Sequence, residues 1–243
     1  MRVLVTRPEP GASRTASRLR TLGHEPVILP LFEAQITARP DDLPPVQQVG
    51  GLIATSARAF SIFGSNTAPA EYLHFPVYTV GPATAQAARD AGFHDVHEGA
   101  GSARDLAGAL TAQSGTAVDG PGLLYLAGSP RKPFLEEALT AEGLPLKVLE
   151  TYRMDQLSYP TDSQILDLLS PAPDAALFYS SNAALGFCSL VSTKNLDKSL
   201  QSTFFMCLSP EISSAFPETW MARVISAGHP DEDSLLASLA GLG

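Results

Sequence analysis

The sequence predicts an α/β protein built as two parallel-sheet domains with helices on both faces, joined by a short two-stranded β-ladder hinge. Three observations carry this expectation. Short apolar runs alternate with helical patterns along the chain, as they do where a parallel sheet is covered on both sides. Several stretches of the first half recur in the second, the mark of a duplicated unit. Two unusually long apolar runs, one in each half, are each followed by a proline-rich exit.

The first strand is Val3, Leu4 and Val5, broken by Thr6-Arg7-Pro8. The turn has neither GxGxxG nor GxxxxGK(S/T), so it lacks the glycine pattern that lets backbone amides close around phosphate. A helix follows with Ala12, Ala16, Leu19 and Leu22 at i, i+4, i+7 and i+10, and Gly23 stands at its C′ position. Residues 27–38, VILPLFEAQITA, exceed a single core strand and run into ARPDDLPP. Residues 3–33 are echoed by 123–153, where Val3 matches Leu123 and Gly23 matches Gly143, both shifted by 120.

A second echo is independent of the first. GLIATSARAF (51–60) matches ALFYSSNAAL (176–185), with Ser56 on Ser181, a shift of 125. YTVGPATAQ then matches MCLSPEISS, with Pro82 on Pro210, a shift of 128. Leu106 and Leu110 of DLAGAL match Leu235 and Leu239 of DSLLASL, a shift of 129. The slow drift is what loop insertions produce.

The exits fix the expected path. Residues 1–30 begin domain one, 31–39 cross, and 40–148 build domain two. Residues 149–157 return, and 158–243 complete domain one. Two antiparallel crossings make the ladder, with a cleft between the domains. Thr161, with Gln164 three residues later, reads as a capping box opening the helix QILDLL.

Composition excludes several classes. The net charge of −9 leaves no general basic footprint, which argues against a nucleic-acid partner. No apolar run approaches the roughly 18 residues of a membrane span, and the N-terminus enters a strand at once, so no membrane partner and a cytoplasmic location are expected. Cys188 and Cys207 sit in apolar GFCSL and FMCLS and read as buried free thiols. His94 and His97 form an HxxH that no carboxylate or cysteine pattern completes, so they read as surface residues and no metal is expected. No long apolar helix asks for an obligate interface, which suits a monomer.

Ligands of open parallel sheets lie outside the carboxyl ends of the strands. Six turns fall there: Thr6-Arg7, Thr55-Ser56-Ala57-Arg58, Gly81-Pro82-Ala83-Thr84, Ala127-Gly128-Ser129, Ser180-Ser181-Asn182 and Ser209-Pro210. Each alone has an ordinary reading as a helix N-cap, a surface ion pair or a first-turn proline. Together, around one cleft, they describe a site for a large ligand with several carboxylates or phosphates. Tyr152 stands in the returning strand within LETYR. It is either a packing tyrosine at the domain junction or a phenol over the cleft able to donate a proton.

VTRP at the N-terminus, TSARA, VYTVGPATAQAARDAGF, LYLAGSPRK and ETYR together resemble, in order and spacing, the uroporphyrinogen-III synthase family. The match covers essentially the whole chain, and its specificity lies in the succession of short motifs. The resemblance implies two flavodoxin-like domains joined by a two-stranded ladder. It implies hydroxymethylbilane, a linear tetrapyrrole with eight carboxylates, as substrate, and no metal or organic cofactor. The opening turn then lacks a phosphate cradle because it faces carboxylates. On this resemblance Tyr152 and Thr84 take catalytic roles. Arg7, Thr55, Ser56, Arg58, Gly81, Gly128, Ser129, Ser181 and Asn182 bind substrate, and the preceding deaminase is a transient partner. The Ser209-Pro210-Glu211-Ile212 turn departs from the pattern, since it lacks the threonine that Thr84 supplies and adds a negative charge. A non-catalytic alternative is a two-lobed binding or regulatory module for a polyanionic metabolite.

Overall fold

The computed structural model describes residues 1–65, 67–99, 102–113, 121–159 and 162–242. From the N-terminus the chain forms β1 (Arg2–Val5), α1 (Gly11–Thr21), β2 (Glu25–Ile28) and β3 (Phe32–Ile36). Next come β4 (Val49–Ala54), β5 (Val77–Thr79), α2 (Pro82–Asp90), β6 (Val96–Glu98) and α3 (Ala103–Gln113). The middle closes with β7 (Gly122–Ser129), α4 (Phe134–Ala141) and β8 (Leu146–Gln156). The last third holds α5 (Asp162–Leu168), β9 (Ala175–Phe178), α6 (Ser181–Lys194), β10 (Phe204–Cys207), α7 (Pro210–Ser213), β11 (Val224–Ser226) and α8 (Glu232–Ala237). Thr161, the expected cap of α5, lies outside the described residues.

The chain divides into two compact units: Met1–Ala34 with Asp155–Gly243, and Gln35–Met154. Unit one holds a five-stranded sheet in the order β2-β1-β9-β10-β11, with every neighbouring pair parallel. Renumbered within the unit this is 2-1-3-4-5, the flavodoxin-like doubly wound order. The second sheet runs β3-β8-β7-β4-β5-β6. Without its edge strand β3, it repeats the first sheet once β7 and β8 are set on β1 and β2. The duplication is thus circularly permuted: the pair that opens unit one closes unit two.

Strand registers correct one echo. Val3 lies opposite Ala175 and Leu123 opposite Gly51. If Val3 corresponds to Leu123, then Gly51 corresponds to Ala175, so the true shift is 124 rather than 125. The helix caps agree, because Ser56 and Ser180 are the equivalent N-caps and Ser181 is the first helical residue. A one-residue slip matters in a strand, since it moves every side chain to the other face.

Those faces are both apolar. Leu4, Ala176 and Phe178 point into one cluster of unit one, while Val3, Val5, Ala175 and Leu177 point into the opposite one. Leu52, Ala54, Leu124 and Leu126 fill one cluster of unit two, and Ile53, Tyr125 and Ala127 the other. Alternate residues feeding two covered faces explain why the strands read as unbroken apolar runs. In unit one, Phe178, Phe187, Phe205, Phe216 and Trp220 interlock, with Phe178 and Phe216 edge-to-face at 5.0 Å. Such pairs add about 0.5–1.5 kcal/mol each beyond area burial.

Helix α1 buries Ala12, Ala16 and Leu19 fully, but Leu22, expected on the same stripe, is its C-cap residue and is 54% exposed. Gly23 and Gly143 close their helices at φ 79° and 71°, a left-handed conformation that glycine adopts without a Cβ penalty. Strand β8 starts at Leu146, ahead of the expected crossing, because its residues 146–153 are also the parallel neighbours of β7. No helix among the described residues is long and apolar enough to cross a membrane. Cys188 and Cys207 are free thiols, both pushed up to about 11 by burial.

Candidate active site

Five of the six candidate turns leave the carboxyl ends of strands, whereas Ala127-Gly128-Ser129 is itself the last stretch of β7, still paired with β8. In unit two the turn after β4 places the Thr55 hydroxyl 2.9 Å from the Tyr125 hydroxyl. Burial raises the Tyr125 phenol above its ordinary value, with the Thr55 hydrogen bond opposing. Ser56 caps the short 3-10 helix Ala57–Phe63, its Oγ accepting from the Arg58 amide at 3.3 Å. A 3-10 helix stands here where a longer α-helix (α6) follows the equivalent turn of unit one.

After β5, Gly81 is the N-cap of α2, and its carbonyl accepts from the amides of Thr84 at 3.1 Å and Ala85 at 3.0 Å. Its backbone is extended (φ −175°), a conformation open to any residue, and a Cβ there would meet nothing within 4 Å. The space above Gly81 is therefore open on the protein's side. Thr84 sits in the first turn of α2 and is buried.

After β7 the register with β8 breaks. Ala127 pairs with Glu150, but Gly128 pairs with Tyr152, so Thr151 is an extra residue in β8. Thr151 is fully buried, and its hydroxyl donates to the Ala127 carbonyl at 3.3 Å. Tyr152 packs on the cluster that contains Leu124, Leu126 and Phe60. Helix α2 contributes Ala88 to that cluster and the Ala57–Phe63 turn contributes Phe60 and Phe63. Tyr152, the Ala57–Phe63 helix that Ser56 caps and helix α2 thus share one face of one sheet. The Tyr152 ring lies over Gly128, where an added Cβ would fall within 3.0 Å of Cζ, the hydroxyl and Cε1.

Sequence reasoning missed Arg131. It donates to Glu136 at 2.5 Å, to Glu150 at 2.6 Å and to the Gly128 carbonyl at 3.3 Å. The hydrogen bond to Glu136, foremost, raises its guanidinium pKa against the pull of burial. Its signal was a basic residue just past a strand end, the feature that drew attention to Arg7. Ser129 ends β7, half-buried, opposite Arg153.

The edge of unit one is organised differently. Arg7 donates to Glu232 at 3.2 Å and to Thr15 at 3.4 Å, and its guanidinium lies 4.2 Å over the Tyr179 ring. Glu232 also accepts from Tyr179 at 2.8 Å, from Arg18 at 2.9 Å and from Thr15. Arg18 reaches Asp233 as well. Gly11 makes room for this, since a Cβ there would meet Arg7 Nε at 2.5 Å. Burial pushes the Glu232 carboxyl up, but hydrogen bonds from Thr15 and Tyr179 and the charge of Arg7 outweigh it and hold it below its ordinary value. Burial, above all, raises the Tyr179 phenol. Arg7, expected to meet a substrate carboxylate, here holds Glu232 of its own chain.

Ser181 and Asn182 open α6, half-buried and exposed respectively, behind the capping Ser180, whose Oγ accepts from the Ala183 amide at 3.2 Å. Ser209 caps α7 without a side-chain hydrogen bond. His97 lies 3.0 Å from Asp95 and stacks on Tyr78. Among the described residues no group of three or more His, Cys, Asp or Glu side chains could hold a metal ion.

The family model described as "Uroporphyrinogen-III synthase HemD" matches residues 13–237. Solved structures similar to this chain include the uroporphyrinogen-III synthetase of Helicobacter pylori, at 18% identity and TM-score 0.68, with all of both chains covered. A mutant uroporphyrinogen III synthase of Thermus thermophilus matches at 18% identity and TM-score 0.56, covering 100% of this chain and 98% of that one. No curated protein matches the sequence. At such identities the structural likeness speaks for the fold, and the family match spans nearly the whole chain. The chain belongs to the uroporphyrinogen-III synthase family.

Proposed function

We propose that this protein closes hydroxymethylbilane to uroporphyrinogen III, inverting ring D and releasing water, as a cyclising hydro-lyase of haem and related tetrapyrrole biosynthesis. The observation that carries the reading is the Tyr152 phenol laid over Gly128, on the face it shares with the Ala57–Phe63 helix and α2, in a chain of this family.

Tyr152 donates its proton to the departing ring-A hydroxyl. The C–O bond breaks, water leaves, and an azafulvene cation remains. The substituted carbon of ring D attacks it to form a spiro pyrrolenine, which fragments and recloses with ring D inverted. The proton lost in the last step balances the one Tyr152 gave. The bilane left alone closes without rearrangement, so the larger task is to hold it folded for the spiro route. Acid help to the leaving hydroxyl is the chemical contribution.

Thr55, Ser56, Arg58, Gly81 and Ser129 of unit two are proposed to meet the substrate, Arg7, Ser181 and Asn182 to meet it from unit one, and Thr84 to serve as a second catalytic hydroxyl. The two units serve as the two domains, and the segments 31–39 and 149–157 carry the chain between them as the hinge. No metal or organic cofactor enters this chemistry. A cytoplasmic monomer in transient contact with the preceding deaminase completes the reading. The family match favours this enzyme over a non-catalytic binding module.

The test is a deaminase-coupled bilane assay with the isomers separated. Addition of the protein should turn the product from the unrearranged isomer to uroporphyrinogen III. Unrearranged product alone would leave a binding module.

A further inference from the structure

The alternation of β8 is interrupted at one place. Leu146 packs with the cluster under Tyr125, and Leu149 with the cluster under Leu124. Continued without a break, this alternation would send residue 151 to the Leu124 face and residue 152 to the Tyr125 face. The extra residue at Thr151 reverses it, and Tyr152 packs on the Leu124 face instead. Bulges re-aim side chains in this way. Gly128 completes the arrangement, because the Tyr152 ring occupies the volume its Cβ would fill. Arg131 ties the Gly128 carbonyl to Glu150, two residues before Tyr152.

We propose that Gly128 is a positioning residue for the reaction: it acts through Tyr152, as the seat that lets the bulged strand lay the phenol on the face shared with the Ala57–Phe63 helix and α2. Gly128 does not touch substrate in this role. The inference rests on the proposed acid role of Tyr152. The atoms an alanine would strike are the far end of a side chain, so the ring swings aside and the fold survives.

The test is a double-mutant cycle on the full chain with hydroxymethylbilane, alongside thermal melts. Gly128→Ala should lower kcat more than tenfold with KM within twofold. Added to Tyr152→Phe, it should cost no further kcat, because the donor it displaces is already gone. Unchanged turnover in Gly128→Ala, or the same fold-loss in both backgrounds, would overturn the proposal. The seat can also be judged without turnover. Gly128→Ala should lower the melting temperature beside Tyr152 and not in a Tyr152→Ala background, whereas an equal drop in both would remove the seat. Normal turnover by Tyr152→Phe would defeat the acid role, and with it the catalytic purpose of the seat, while leaving the melting result to stand separately.

Discussion

Two sheets that share a strand order end in differently built edges. In unit one, Glu232 gathers Arg7, Arg18, Thr15 and Tyr179 around its own carboxylate. Among the described residues of unit two, the equivalent positions hold no such carboxylate. There Tyr125 meets Thr55, Tyr152 lies on Gly128, and Gly81 faces open space. One copy gathers its donors on a single carboxylate, and the other pairs Arg131 with Glu136 and Glu150 while leaving hydroxyls and a phenol at its rim. Duplication has kept the scaffold, whose strands are buried on both faces, and altered the turns, which are not part of that packing.

The largest expected contrast is between two tyrosines. Tyr152→Phe should lower kcat by on the order of 10²-fold or more, the range of a positioned general acid, with folding unchanged and residual product shifted toward the unrearranged isomer. Tyr179→Phe removes a hydroxyl already engaged by Glu232 and should leave kcat alone. Steady-state kinetics with isomer analysis on the pair decides it; equal losses would erase the difference between the edges.

Next is Glu232→Ala. It deletes a carboxylate that accepts several charge-assisted hydrogen bonds and should cost about 2–3 kcal/mol of stability, read by chemical denaturation, with kcat preserved. The folded carboxyl is held below its ordinary value near 4.5. Its contribution is therefore fully present above that value and is lost as pH falls through the lower folded pKa. Glu232→Gln should flatten this part of the acid-stability curve relative to the parent.

A smaller effect belongs to Arg58. Arg58→Met should raise KM about tenfold with little change in kcat, the size of one charge-assisted contact. Smallest is Gly81→Ala. Nothing stands within 4 Å of its Cβ position, so stability should hold within about 0.5 kcal/mol, and a modest rise in KM would report ligand approaching that side.

Much of the fold was legible because it follows from local rules. The apolar alternation gave the strands, and Gly23 and Gly143 marked helix ends that require left-handed backbone. Pro82 and Pro210 both stand at the first helical position. The one-residue register was not legible, since an apolar run buried on both faces matches its copy almost equally well at either shift. Nor was the fate of Leu22, decided by where α1 stops. At the site, Tyr152 and the capping Ser56 could be picked out by type and place. The pairing of Arg7 with Glu232 could not, because 225 residues separate them and only the fold brings them together. The bulge at Thr151 was equally hidden, being a property of two strands in register and not of either sequence.

The permuted order of the two sheets also dictates an order of assembly. Strand β1 sits inside its sheet, between β2 and β9, and the Arg2 amide bonds to Asp174 across 172 residues of chain. On a ribosome, the opening β-α-β segment must wait with one flank of β1 unpaired until β9 has emerged. Gln35–Met154 is continuous and can finish its own sheet meanwhile. The unit begun second therefore matures first, and the nascent chain carries an exposed strand edge, with its hazard of mispairing, for most of its synthesis.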